Sequence, residues 1–499
     1  MDIELNPHEL HYNLVCSFKI IAKKYLPSSS LLNLRLLSRW AYSIVKACPL
    51  TLDVFSAYKL DKINAMISDH KILIEALSYE IGRNNRNITN KARRKAHLNN
   101  VTHLWVDDST FNAENPIPSS VKNLMIKWMT PDPSPNVLEI PLSVTTLDLF
   151  DFNQRIDFGQ NLTHLNIRGS FNQPLDDLPL TLTHLLIRDI FNQPIDHLPP
   201  NLQELNLGND FNQRIDLLPN KLIKLTLGWH FNQPLDELPP SLKYLNLGAE
   251  FNQPIDKLPN SSLKRIIFGI NFNQRVDFLP QTIRYLTFGN SFNLPIDHLP
   301  GTCSLGCSAN LPSSLTHLIL GHKFNKRIDS LPAIIDLTLG NDFNQPIDHL
   351  PNTLIRLVFE TGSSFDQMVD HLPSSLKALC FGQVFNREVQ TLPPHLEVLR
   401  FGKEFNKSID CLPPSIKSLT LGEELNQKVY HLPEALLHLN VRNKNKSIIS
   451  IPKSVTHFYV ESPSKITLKW IKDENGTKSL LNRRVVMTAD DSYPFYVES

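Results

Sequence analysis

Residues Phe191–Glu250 read FNQPIDHLPPNLQELNLGND, FNQRIDLLPNKLIKLTLGWH and FNQPLDELPPSLKYLNLGAE, three consecutive sentences of 20 residues with the same letters in the same places. A fixed period of this length is the mark of a solenoid, in which each unit packs only on its neighbours. Inside each sentence Leu-x-Leu alternates at period two, so both leucines point to one side of a strand and the residue between them to the other. The Leu-Pro pair halts helix growth on the return side. Each coil then contributes one short strand, and strands of successive coils pair in parallel, about 4.8 Å apart. The functional expectation is an extended binding surface and not an enclosed catalytic pocket.

The Leu-x-x-Leu-x-Leu run is the leucine-rich-repeat signature. The expected fold is an α/β repeat solenoid, a leucine-rich-repeat-like parallel β-solenoid of about 20-residue coils with an N-terminal helical module. Divergent stretches keep the strand pattern without the full Phe-Asn: VTHLWV (Val101–Val106), VKNLMI (Val121–Ile126), VTTLDL (Val144–Leu149) and VTHFYV (Val455–Val460). With these, 18 strands are expected between residues 101 and 460. The glycine after each strand (Gly208, Gly228, Gly248) suits a turn with positive φ. The Asn after each Phe can satisfy turn backbone of its own and the adjacent coil. The recurring Asp (Asp196, Asp216, Asp236) is expected to cap the turn before Leu-Pro. Between Phe292 and Phe324 the interval lengthens to 32 residues, and GTCSLGCSAN (Gly301–Asn310) is either a loop or a degraded repeat.

The Phe-Asn-x-Pro core of these units resembles the FNIP repeats of social amoebae and of giant viruses of amoebae, and the likeness covers roughly residues 100–460. In that family the N-terminal partner of the repeats is often an F-box. Residues 1–55 do not follow the repeat, and Leu31, Leu34, Leu37, Trp40 and Ile44 fall at the three- and four-residue spacing of an amphipathic helix behind Ser28–Ser30 as caps. YLPSSSLLNLRLLSRWAYSIV (Tyr25–Val45) resembles the second half of an F-box, and Pro7-His8-Glu9-Leu10 its opening, although the interval to Ile20-Ile21 is several residues longer than the family pattern. The resemblance implies docking on the Skp-type adaptor of a cullin ubiquitin ligase, with Pro7, Leu26, Pro27, Leu31, Leu34, Leu37 and Trp40 as the adaptor-binding residues. The expected organisation is an F-box-like module at 1–55, a helical linker and cap at 56–100, the solenoid at 101–460 and a C-terminal cap at 461–499.

Composition narrows the class. Hydrophobic content is 41%, enough for a continuous core, and no stretch approaches the ~20 apolar residues of a membrane span. Asp2 and Glu4 ahead of the first apolar residues do not suit a signal peptide, so cytoplasm or nucleus is the expected location. Net charge is +1, with residues 1–100 at +7 against a mildly acidic remainder, a bias too weak to argue for nucleic acid. The KARRK run (Lys91–Lys95) fits a nuclear localisation patch but reads better as a solvated charged stretch beside the first repeat.

No constellation points to catalysis, and no cofactor is expected. The aligned aspartates and the Asp196-His197, Asp297-His298 and Asp348-His349 pairs recur at a fixed place in each coil, whereas catalysis needs one converging set. Cys303 and Cys307 with His317 and His322 have spacing tolerated by zinc, without a second cysteine pair. The repeats also resemble those of bacterial effector ubiquitin ligases, whose large catalytic cysteine domain has no counterpart in residues 461–499. Specificity is expected in the outward strand residues of the concave face, which vary from coil to coil. Tyr244, Arg265, Tyr285 and Arg356 are the anchors, since Tyr and Arg dominate binding hot spots, with His164 and His184 beside them. The expected role is that of a monomer acting within a complex: substrate-recognition adaptor of the ligase, or a scaffold or decoy that binds proteins without one.

Overall fold

The computed structural model describes residues 53–54, 78–79, 102–107, 117, 119–127, 140–153, 158–296, 311–442, 451–460, 471–472 and 478–479. The chain divides into two compact units, Met1–Leu147 and Asp148–Ser499. The F-box-like positions, the KARRK run, Asp297-His298 and the Cys303/Cys307 pair lie outside the described residues.

All 18 expected strands are present, from His103–Asp107 to His457–Val460. In the first unit His103–Asp107 pairs in parallel with Asn123–Lys127. In the second, fifteen strands from His164–Arg168 to His457–Val460 follow one another in chain order, each in parallel register with the next, Tyr244 opposite Arg265 and Arg265 opposite Tyr285. No helix occurs among the described residues. The return side of each coil is built of turns, in keeping with the Leu-Pro pair: about twenty residues close a coil with no length left for a helix, and the Pro199, Pro219 and Pro239 carbonyls accept from Leu202, Leu222 and Leu242 in i→i+3 turns. Part of the N-terminal region expected to be helical is strand: Asp53–Val54, within 1–55, pairs in parallel with Ser78–Tyr79, within 56–100. Leu50, Leu52 and Val54 alternate at period two, which favours that outcome. A second short pair, Ile471–Lys472 with Ser479–Lys478, is antiparallel.

The core is a set of columns. Leu205 and Leu207 in one coil, and their equivalents in the others, are buried, while Glu204 before them and Asn206 between them face outward. Phe171, Phe191, Phe211, Phe231, Phe251 and Phe272 form one buried stack, with ring centroids 6.0–6.2 Å apart and nearly parallel planes. That spacing exceeds the ~4.8 Å between strands. On the opposite side of the sheet the stacked rings of His164 and His184 lie 4.2 Å apart, and those of Tyr285 and His317 4.4 Å. Spacing widens from the outward face through the strands to the Phe column, so within this stack the coils splay away from the sheet and the sheet face is the inner one.

The Asn column holds the return side together. The backbone N–H of each Asn donates to the Oδ1 of the Asn one coil earlier: Asn212 to Asn192 at 2.9 Å, Asn232 to Asn212 at 3.0 Å, Asn252 to Asn232 at 2.9 Å. The neighbouring Gln adds to it, Gln253 Nε2 donating to both the Oδ1 and the carbonyl of Asn232 at 3.2 Å. The ladder passes straight over the long interval. Asn325 N donates to Asn293 Oδ1 at 3.0 Å, Phe324 stacks on Phe292 at 6.0 Å, and strand Tyr285–Thr287 pairs directly with His317–Leu320. The coils on either side of residues 297–310 are therefore direct neighbours in the stack.

Two expectations are corrected. Gly169 has a φ of 91°, but Gly208, Gly228 and Gly248 do not occupy the left-handed region. A Cβ on Gly228 or Gly248 would fall inside the carbonyl oxygen of the preceding coil's glycine, so close approach, not φ, demands glycine. Several of the aspartates are engaged by side chains at the coil surface, Asp216 by Arg214 Nε and Asp277 by Arg275 Nε, both at 2.6 Å, and Asp236 by Lys257 Nζ at 3.0 Å, whereas Asp410 Oδ1 accepts from the backbone N–H of Tyr430 at 3.2 Å.

One coil shows how the Asn column tolerates change. Asp366 occupies the Asn place; it donates to Asn344 Oδ1 and its own Oδ1 accepts from Asn386 N, both at 3.0 Å, while Arg387 replaces the usual Gln and pairs with Asp366 Oδ2 at 2.9 Å. We expect Asn232→Ala to lower stability by about 1–3 kcal/mol, the cost of an orphaned Asn252 N–H. Asn232→Asp combined with Gln253→Arg should recover most of that loss. Urea unfolding followed by circular dichroism reads both.

Candidate interaction face

Between the buried leucines of a coil, three residues are forced out. Leu242 and Leu245 are both fully buried, so Lys243 and Tyr244 between them stay outside, as does Asn246 before Leu247. Parallel register then aligns equivalent residues into rows. One row runs His164, His184, Glu204, Lys224, Tyr244 and Arg265, and continues through Tyr285, His317, Asp336 and Arg356.

Neighbours in this row touch. The His164 and His184 rings stack within 10° of parallel. Lys224 Nζ sits 2.8 Å from Glu204 Oε1 and 5.6 Å from the centre of the Tyr244 ring. The Arg265 guanidinium lies between two tyrosines, 5.7 Å from the Tyr244 centroid and 5.8 Å from that of Tyr285. Tyr285 in turn stacks on His317. Arg356 Nε donates to Asp336 Oδ2 at 2.6 Å. The compressed inner side of the coils builds this row before any partner arrives, which lowers the ordering cost of binding.

The structure brings His164 and His184 together and places Tyr244, Arg265 and Tyr285 on consecutive strands. Arg356 lies three strands beyond Tyr285, with its guanidinium held by Asp336, and so differs from a free anchor. Sequence reasoning counts His317 and Lys224 among the outward strand residues but does not choose them as anchors. It also passed over the neighbouring column Lys243, Lys264 and Arg284, which lies on three consecutive coils. The signal was present, because Leu-x-x-Leu leaves two outward residues and not one. His317 and His322, considered as metal ligands, are engaged separately: His317 stacks on Tyr285, and His322 Nε2 lies 3.1 Å from Glu360 Oε2. Among the described residues no group of three or more His, Cys, Asp or Glu could hold a metal ion. His371 and Asp348 form an isolated exposed pair at 3.4 Å.

Burial holds the His164 imidazole below the ordinary histidine range, and the adjacent His184 depresses it further. His317 is lowered by burial first, with Arg356 and Arg265 opposing its protonation and Asp336 favouring it. His438 is lowered by burial and by His457, on which it stacks at 4.6 Å.

The FNIP Repeat family model matches residues 191–230, 231–269, 258–291, 343–383, 365–404 and 385–424. The crystal structure of CroV588, described as a novel circular leucine-rich-repeat protein structure, is 34% identical over 78% of this chain and 67% of its own, with a TM-score of 0.60. YopM from Yersinia enterocolitica WA-314 is 20% identical over 81% of this chain and 100% of its own, with a TM-score of 0.42. No curated protein matches significantly.

The depressed histidines set a pH dependence. Below the ordinary imidazole value of about 6.5 the unfolded chain binds protons that these folded-state rings resist, so their stability contribution is complete above that value and is lost as pH falls through it. The thermal midpoint should therefore fall between neutral pH and mildly acidic pH, and His317→Gln should flatten the slope. Scanning calorimetry across that range checks both.

Proposed function

The chain belongs to the leucine-rich-repeat family, built here from FNIP repeats, and from that premise we propose that it is a protein-interaction scaffold whose sheet face binds a target protein. The observation that carries this reading is the row from Lys224 to His317. Aromatic and cationic side chains, the types that dominate binding hot spots, are already in mutual contact on a solvent-facing sheet, and Tyr285 remains 38% exposed.

The finer reading rests on the N-terminal sequence. Tyr25–Val45 resembles an F-box, which would dock a Skp-type adaptor of a cullin ubiquitin ligase through Pro7, Leu26, Pro27, Leu31, Leu34, Leu37 and Trp40. The protein then acts as a substrate-recognition adaptor in the cytoplasm or nucleus. Its contribution is positional: one chain holding both target and ligase raises their effective concentration for each other. A scaffold or decoy that binds the same target without a ligase is the alternative.

Affinity capture separates the two. Full-length protein should retain the Skp-type adaptor and a target, and Leu31→Asp with Leu34→Asp should lose the adaptor while keeping the target. Adaptor capture that survives those substitutions, or never occurs, overturns the ligase reading. Target capture unaffected by Arg265→Ala with Tyr285→Ala overturns the assignment of the sheet face.

A further inference from the structure

We propose that coils 221–290 of the sheet face receive an acidic, extended peptide segment of the partner. The inference rests on the reading of this face as the binding surface and names the chemistry it selects.

Lys243, Lys264 and Arg284 occupy the same place on three consecutive coils. Lys264 N donates to the Lys243 carbonyl at 2.9 Å and Arg284 N to that of Lys264 at 2.8 Å, which fixes the three as direct neighbours across the sheet. Arg265 stands beside them, between the two tyrosines. The nine outward positions of these coils are Lys243, Tyr244 and Asn246, then Lys264, Arg265 and Ile267, then Arg284, Tyr285 and Thr287: four cations and no carboxylate. The coil before adds Lys224, whose charge Glu204 already neutralises, and the coil after adds His317. Farther along the face two cations are matched, Arg356 by Asp336 at 2.6 Å and Lys417 by Glu397 at 2.9 Å. Among the described residues, Lys243, Lys264 and Arg284 have no such carboxylate. Like charges directly opposite one another destabilise a sheet. A column of them left unmatched is a cost that a bound anion removes.

The ring geometry selects the kind of anion. A nucleic-acid strand on a cationic aromatic surface gains by stacking bases on open ring faces. Here those faces are taken. Tyr244 has Lys224 and Arg265 over it, and Tyr285 has Arg265 over it and His317 stacked on it. What the surface still offers is unmatched positive charge, ring edges and phenol hydroxyls. Those suit carboxylates, which accept charge-assisted hydrogen bonds from Lys, Arg and Tyr.

The test uses the full-length chain and fluorescence anisotropy with three labelled probes: a short peptide alternating Glu and Ser, the same peptide with Gln for Glu, and oligothymidylate. The Glu peptide should bind, lose affinity as salt rises, and exceed the Gln peptide by at least about tenfold. Lys243→Glu with Lys264→Glu should remove that advantage while leaving the circular dichroism spectrum unchanged. Lys377→Glu, on a distant coil, should leave binding unchanged. Equal affinity for the Glu and Gln peptides, insensitivity to the Lys243/Lys264 reversal, or tighter binding of oligothymidylate would each overturn the proposal. Target capture that depends on Arg265 and Tyr285 but coexists with failed Glu-peptide binding would sink only the acidic-segment inference and leave the scaffold reading standing.

Discussion

Each coil of this protein has two sides, and only one of them has a sheet to satisfy its backbone. The hydrogen bond from the N–H of one Asn to the Oδ1 of the Asn a coil earlier does that work on the other side. It fixes coil-to-coil register away from the strands, and the stacking of the Phe rings beside it follows from the same repeat. The long interval before Asn325 demonstrates the dependence: chain length changes there, yet the Asn bond, the Phe stack and the strand pair all resume at normal spacing. Asp366 with Arg387 demonstrates it again, since a changed acceptor is accompanied by a changed neighbour.

The spacing gradient links this architecture to binding. Rings 6.0–6.2 Å apart on the Phe side, strands closer together, and rings 4.2–4.4 Å apart on the outward sheet face describe a stack that closes toward its sheet. Closing that face presses its side chains into contact along the row. The aromatic-cation run from Lys224 to His317 therefore lies on the side of the stack where successive coils stand closest together.

The strand positions, the buried leucines and the Phe column were legible in the sequence because each depends on a period inside one repeat. The role of Gly228 was not, because positive φ and close approach of another chain both call for glycine. A single repeat does not say which applies, and only the carbonyl of Gly208 lying against it does. Asp216 was misread for a similar reason. Asp caps turns well on its own, but Arg214 two residues away offers a full charge, and the carboxylate takes it. The anchors Tyr244, Arg265 and Tyr285 were legible as outward residues of variable type. Their mutual contact is a property of register between coils, and so was not.

The cationic column follows from the same argument carried one residue further. A pattern with two buried leucines three apart must expel both residues between them, and successive coils must stack whatever is expelled. Neutral residues in that place, such as Thr163 and Thr183 near one end, stack without penalty. Lys243, Lys264 and Arg284 do not, and their coils put no acid within the outward positions to relieve them. Core residues in those coils hold the cations in line, because Leu242, Leu263 and Ile283 beneath them are fully buried and cannot shift register without exposing the core. No described residue of these coils relieves them, so the coils that most constrain their own charges are the ones best prepared to bind an opposite one.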